Sequence, residues 1–102
     1  MKHFMIRYRR QGMPADAWHE HITRFIAALD KDPELGGITY RCMRFAGSDD
    51  YIHLATAADD GAIKALQSRD FFKHYTEQTR AVAAGQVEVL PLDLIAGTKP
   101  RA

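Results

Sequence analysis

A single cysteine, Cys42, is all that the 102 residues carry. One thiol cannot close an internal disulfide, and it fits a reducing compartment. Excess charge of either sign is missing too: 14 Lys plus Arg stand against 13 Asp plus Glu, a net charge of +1. That balance excludes the electrostatic footprint of a nucleic-acid binder and the polybasic face of a membrane-surface protein. No apolar run approaches the roughly 20 residues of a membrane span, and the opening MKHFMIRYRR has no signal-peptide core. The expectation is a soluble, cytoplasmic protein that engages neither nucleic acid nor membrane. No glycine-rich phosphate loop follows a strand, so the dinucleotide fingerprint is absent. His19 and His21 lie two apart on a helical pattern, pointing to opposite sides, and cannot share one ion.

What is present is a set of clear periodicities. His3 to Arg9 alternates, with Phe4, Ile6 and Tyr8 on one face and His3, Met5, Arg7 and Arg9 on the other. After the break at Gln11 to Pro14, the stripe Trp18, Ile22, Phe25, Ile26 and Leu29 predicts a core-facing helix over Ala15 to Asp30. Asp32, Pro33 and Gly36-Gly37 end it. Ile38 to Phe45 and Tyr51 to Ala57 read as strands joined by a turn over Gly47 to Asp50. Between Gly61 and Ala83 the pattern is helical but interrupted at Ser68, Arg69 and Asp70, with Ser68 suited to cap the second piece. In that piece Phe71, Tyr75, Gln78 and Val82 share a stripe. Val87 to Ile95 reads as a last strand, and Pro91 within it points to a sheet edge.

The order βαββαβ predicts one α+β domain over residues 1–96, with a polar tail at 97–102. Right-handed crossovers then give a ferredoxin-like, four-stranded antiparallel sheet in the order 4-1-3-2, both helices on one face. The second face would carry Met5, Met43, Phe45, Val87 and Val89. At roughly 25 cal/mol per Å² of apolar surface buried, leaving it wet forgoes several kcal/mol, so a homodimer packed sheet to sheet is expected.

Three features resemble a known family: Gly36-Gly37-Ile38 leading into the second strand, the third strand YIHLATA, and the helix joint Ser68-Arg69-Asp70-Phe71-Phe72. Together they are similar, over Phe4 to Ile95, to the dimeric α+β barrel superfamily (a dimeric α/β barrel), most closely its antibiotic biosynthesis monooxygenase-like (ABM) group. The resemblance implies cofactor-independent oxygenation of a small hydrophobic or aromatic substrate such as a quinol. A non-catalytic small-ligand binder and a stress-linked dimeric protein are the alternatives. Two positions depart from the pattern: where relatives often carry a glutamate and then a tryptophan, Ala55 and Ala57 stand here. The haem-degrading branch uses a first-strand asparagine where this chain has Met5, Ile6 and Arg7. Its helical histidine falls at Tyr75, with His74 one place earlier, about 100° around the helix. The expectation is therefore that no haem, flavin or metal is needed.

His53 and His21 are the candidate catalytic groups. His53 sits mid-strand and could serve as general base or bind a phenol; equally, a neighbour in the dimer core could satisfy it. His21 lies one helical turn before Phe25 and beside Trp18. Trp18, Arg7, Phe71, Tyr75 and His74 are the candidate substrate-binding residues. The helix residues would wall a pocket between the sheet and the broken helix. His53 and Arg7 would join it if their strand face turns toward the helices. Hydrophobicity favours the other arrangement, with Phe4, Ile6, Ile52 and Leu54 as the drier face. Cys42 has no basic activator beyond Arg41 and Arg44, so a catalytic thiolate is not expected.

Overall fold

The structure, a computed structural model, describes residues 1–99. Four strands, β1 (Lys2–Arg9), β2 (Ile38–Arg44), β3 (Asp50–Ala57) and β4 (Val87–Leu92), form one antiparallel sheet in the order β2-β3-β1-β4. This is the predicted α+β order read from its other edge. Helix α1 (Ala15–Lys31) connects β1 to β2, and the interrupted helix α2 (Asp60–Gln67) and α3 (Asp70–Val82) connects β3 to β4. The last strand ends at Leu92, three residues before the expected Ile95. Beyond it Leu94 and Ile95 are 65 % and 92 % exposed, with no sheet neighbour to hold them extended. Of the expected tail at 97–102, positions 100–102 lie outside the described residues. Pro91 sits on the edge strand, where its missing N–H breaks no inner ladder.

Register decides which residues meet the helices. Ile6 pairs with His53 and Tyr8 with Tyr51 across β1 and β3, while Cys42 pairs with His53 across β2 and β3. One face therefore carries Phe4, Ile6, Tyr8, Tyr40, Cys42, Tyr51, His53, Val87 and Val89, and the helices cover it except at the β4 edge, where Val89 stays 61 % exposed. The other carries Met5, Arg7, Met43, Ile52, Leu54 and Leu90. This corrects the sequence expectation twice. Phe4 and Ile6 share their face with His53, not with Ile52 and Leu54. Val87 and Val89 belong to the helix side. His53 and Arg7 consequently lie on opposite faces. A slip of one residue in pairing exchanges a strand's two faces, and strand periodicity alone leaves pairing open.

The helix joint is built differently from its sequence reading. Ser68 ends α2, donating from Oγ to the Ala65 carbonyl at 2.7 Å, and it does not cap α3. Arg69 takes the extended N-cap position of α3 without a side-chain cap. Its guanidinium instead reaches back to Asp32, at the end of α1, with Nε to Oδ2 at 2.7 Å. At α2 the Asp59 side chain accepts from the Ala62 N–H at 2.8 Å, a true N-cap. Gly37 fits closely where β2 begins: a Cβ there would come within 3.3 Å of the Ala58 Cβ and 3.4 Å of the Ala62 Cβ. A side chain there would press α2 outward by a few tenths of an ångström.

Helices α1 and α3 pack through aromatic rings. Tyr75 stacks on Phe25 with centroids 3.9 Å apart and planes 3° apart, and lies parallel to Trp18 at 5.9 Å. Trp18, Phe25, Tyr75, Tyr8 and Tyr51 are all buried, so the core is an aromatic layer between sheet and helices. Among the described residues no helix is long and apolar enough to cross a membrane.

Candidate active site

His53 stands at the centre of this layer with 0 % of its surface exposed. Strand β3 aims it at the helices, and both ring nitrogens find hydroxyl partners. Tyr8 from β1 lies 3.0 Å from Nε2, and Tyr75 from α3 lies 3.3 Å from Nδ1. Trp18 from α1 donates its indole N–H to the Tyr8 hydroxyl at 2.9 Å. The Sγ of Cys42 is 3.9 Å from the Tyr75 hydroxyl. Four elements thus supply one buried polar chain, Trp18–Tyr8–His53–Tyr75, and a fifth, β2, places the half-buried Cys42 at its end.

Burial sets the ionisation of every member. It depresses the His53 imidazole from its ordinary 6.5 to about 4, so the ring is neutral at pH 7. Desolvation pushes Tyr8, Tyr40 and Tyr75 well above the ordinary phenol range, and all three keep their protons. The Cys42 thiol is pushed up to about 11, chiefly by burial and against its contact with the Tyr75 hydroxyl. As its sequence context suggests, it is no thiolate nucleophile.

Beside the chain lies a cavity of about 310 Å³ between the sheet and the broken helix. Its walls are apolar, from Phe4, Ile6, Ile38, Leu66 and Phe72. Tyr40 and Tyr75 line it as well, with His53 buried behind their rings. Gln67, Thr76 and Arg80, all exposed, line it where it opens to solvent.

Of the expected site residues, His53 and Tyr75 meet in this cavity. Trp18 does not line it but backs it, fully buried behind Tyr8 and Tyr75. His21 lies near Trp18, 6.1 Å between centroids, away from the cavity. Phe71 and Phe72 lie 6.1 Å and 6.0 Å from the Phe25 ring, centroid to centroid, but only Phe72 lines the cavity. His74 is exposed on the outer side of α3. Arg7 is on the far sheet face, where its guanidinium meets the Glu88 carboxylate at 3.0 Å. The arrangement therefore leaves Arg7, His21, Phe71 and His74 outside the cavity. Tyr8 and Tyr40 were not anticipated. The available signal was Tyr8 on the same strand face as Ile6; the place of Tyr40 beside Ala55 depends on register, which periodicity does not give. His19, unlike its partner His21, holds a core residue: its Nε2 lies 2.7 Å from the Tyr51 hydroxyl. Among the described residues no three His, Cys, Asp or Glu side chains gather as a metal-binding set.

Solved structures share this architecture. SnoaB from Streptomyces nogalater, a cofactor-independent oxygenase, matches with a TM-score of 0.73 at 20 % identity, over 98 % of this chain and 97 % of its own. Rv0793 from Mycobacterium tuberculosis matches with a TM-score of 0.77 at 12 % identity, over 96 % and 98 %. An antibiotic biosynthesis monooxygenase matches with a TM-score of 0.69 at 10 % identity, over 94 % and 100 %. At such identities the likeness establishes the fold, and it is the fold that the sequence resemblance implied. No protein-family model and no curated protein matches the sequence.

Proposed function

We propose that the cavity binds a small hydroxylated arene and that the protein is a cofactor-independent monooxygenase for it. The observation that carries this reading is the cavity itself, largely apolar walls with the phenols of Tyr40 and Tyr75 among the residues that line it. Its 310 Å³ is about twice the ~150 Å³ that accepts benzene, which suits a substrate of one or two rings. The fold shared with SnoaB supports the same class of chemistry.

The substrate supplies the electrons. A phenol with a free para C–H and one O₂ give a quinone and one water. One oxygen atom enters the new carbonyl, the other leaves as water, and the ring is oxidised by four electrons. The protein contributes orientation, desolvation and stabilisation of the substrate's oxyanion. His53 is poorly suited to take the proton. With its pKa near 4, accepting from a phenol near 10 is uphill by roughly 8 kcal/mol. Its place in this reading is to hold Tyr75, and the substrate's proton leaves through the polar mouth beside Gln67 and Arg80.

The assembly belonging to this reading is a cytoplasmic homodimer, a second copy covering the sheet face that bears Met5, Met43, Leu54 and Leu90. The experiment is oxygen uptake with a panel of naphthols and quinols under isotopically labelled O₂. The expected result is one O₂ consumed per product, with one labelled atom in the quinone. Ligand-induced thermal stabilisation without uptake would replace the enzyme with a non-catalytic binder.

A further inference from the structure

The hydrogen-bond chain around His53 has a direction, and Trp18 sets it. An indole N–H can only donate, so the Tyr8 oxygen accepts from Trp18 at 2.9 Å. The Tyr8 hydroxyl has one hydrogen of its own, and its remaining partner is His53 Nε2 at 3.0 Å. If Tyr8 donates there, Nε2 is the bare nitrogen and the ring proton sits on Nδ1. That proton then goes to the Tyr75 oxygen at 3.3 Å, and the Tyr75 hydrogen is left over. In the reverse arrangement the leftover hydrogen belongs to Tyr8, enclosed among Trp18, His53 and Tyr51 with no acceptor. Tyr75, by contrast, lies on the cavity wall, with only the weak acceptor Cys42 Sγ nearby at 3.9 Å. The first arrangement puts the spare hydrogen where a ligand can accept it.

Tyr40 adds a second donor. It lines the same cavity, its ring edge-on to that of Tyr75 with centroids 6.5 Å apart. Burial, and then the nearby Cys42, raise its pKa, so its hydroxyl keeps its proton. We infer that Trp18 and Tyr8 lock His53 in its Nδ1–H tautomer, so that Tyr75, joined by Tyr40, offers O–H donors to the cavity and selects arenes presenting an acceptor oxygen: an aryl ketone, a quinone or an ionised hydroxyarene. Trp18 and Tyr8 are positioning residues in this scheme. They act on the ligand through an imidazole that neither gains nor loses a proton. The inference rests on the cavity assigned under the proposed function but requires no turnover.

The test begins with the unaltered protein. Long-range ¹H–¹⁵N correlation of histidine-labelled protein at pH 7 should show His53 with a protonated Nδ1 and a bare Nε2. The opposite tautomer overturns the inference. Affinities for α-tetralone, a two-ring aryl ketone, and tetralin, the same skeleton without the carbonyl, then read the donor. Tyr75→Phe should weaken α-tetralone about tenfold and leave tetralin within about twofold; equal losses, or none, overturn it. Tyr8→Phe, which keeps Trp18 and the packing, should shift the tautomer toward Nε2–H and weaken α-tetralone alone. An unchanged tautomer in that variant also counts against the scheme. Absent oxygen uptake with these results intact would remove the oxygenase reading and leave the inference standing.

Discussion

Arg69 Nε donates to Asp32 Oδ2 at 2.7 Å, tying the break between α2 and α3 to the end of α1. The same carboxylate accepts from the Glu34 backbone N–H at 3.0 Å, capping the 3-10 turn Pro33–Leu35 that leads into β2. Arg69 holds the Asp32 carboxyl below its ordinary range, and the capping N–H adds to that effect. The ion pair thus joins the residue just before α3, whose Phe72 and Tyr75 line the cavity, to the end of α1.

Arg69→Ala should lower the melting temperature by only a few degrees, roughly one lost ion pair in a domain of this size. Its larger effect should be on ligand binding, because α3 loses its fixed starting point. Raising salt to about 1 M should shrink the difference in melting temperature by screening the pair in the unaltered protein. Equal melting temperatures at low salt, with unchanged affinity for α-tetralone, would remove Arg69 from any role in shaping the cavity.

His53 predicts an acid-side loss of stability. Its folded pKa of about 4 lies below the ordinary 6.5. The unfolded chain therefore binds a proton first as pH falls. No penalty exists above about 6.5, and it grows until the folded pKa is reached. By pH 5, above most carboxylate titration, the cost is about 2 kcal/mol. Denaturant unfolding at pH 7 and pH 5 measures it. His53→Gln should be less stable at both values, yet lose less between them than the unaltered protein. Identical losses would mean that the imidazole is not held neutral.

The open sheet face supplies a prediction about assembly. Met5, Leu54 and Leu90 lie there together by register, beside Met43, which is 44 % exposed. Sedimentation should show a dimer at micromolar concentration. Met43→Asp should give a folded monomer or a strongly weakened dimer, since an unpaired charge at such an interface costs several kcal/mol. A monomeric unaltered protein would end the idea.

The sequence made the elements legible because each has a period of its own: Phe4, Ile6 and Tyr8 alternate, while Trp18, Phe25 and Leu29 recur as a helix does. Their order along the chain, with right-handed crossovers, was enough for the strand order. Register was not legible. It depends on the turn after Phe45, where Ser48 N–H bonds the Phe45 carbonyl at 2.9 Å and Gly47 adopts φ of 73°, and no periodicity encodes that. Hydrophobicity misled at His53, which looks misplaced on a dry face until its partners are known. Tyr8 lies 45 residues from it and Tyr75 lies 22 away. Long-range hydrogen bonds that make an imidazole acceptable in a core leave no local signature. Phe71 and Phe72 show the smaller version of the problem: adjacent aromatics on a helix point about 100° apart, and only the start of α3 decides which faces the cavity.

Filling the cavity is the most direct test of its function. Ala55 lies on the sheet floor of the cavity, across from Phe4 on β1 and Tyr40 on β2. A leucine there would extend into open space, so the usual strain of enlarging a core residue should be small. Filling empty apolar volume commonly stabilises by about 0.5–2 kcal/mol, and Ala55→Leu should melt at or slightly above the temperature of the unaltered protein. It should leave the Trp18–Tyr8–His53–Tyr75 chain in place, readable as an unchanged His53 nitrogen spectrum. Ligand capacity should fall: thermal stabilisation by α-tetralone should disappear, and any oxygen uptake with naphthols should drop at least tenfold. That combination, a sound fold and an intact tautomer with binding lost, separates occupancy of the cavity from damage to the core. If Ala55→Leu binds and turns over its ligands as before, the reacting molecule sits elsewhere on the protein.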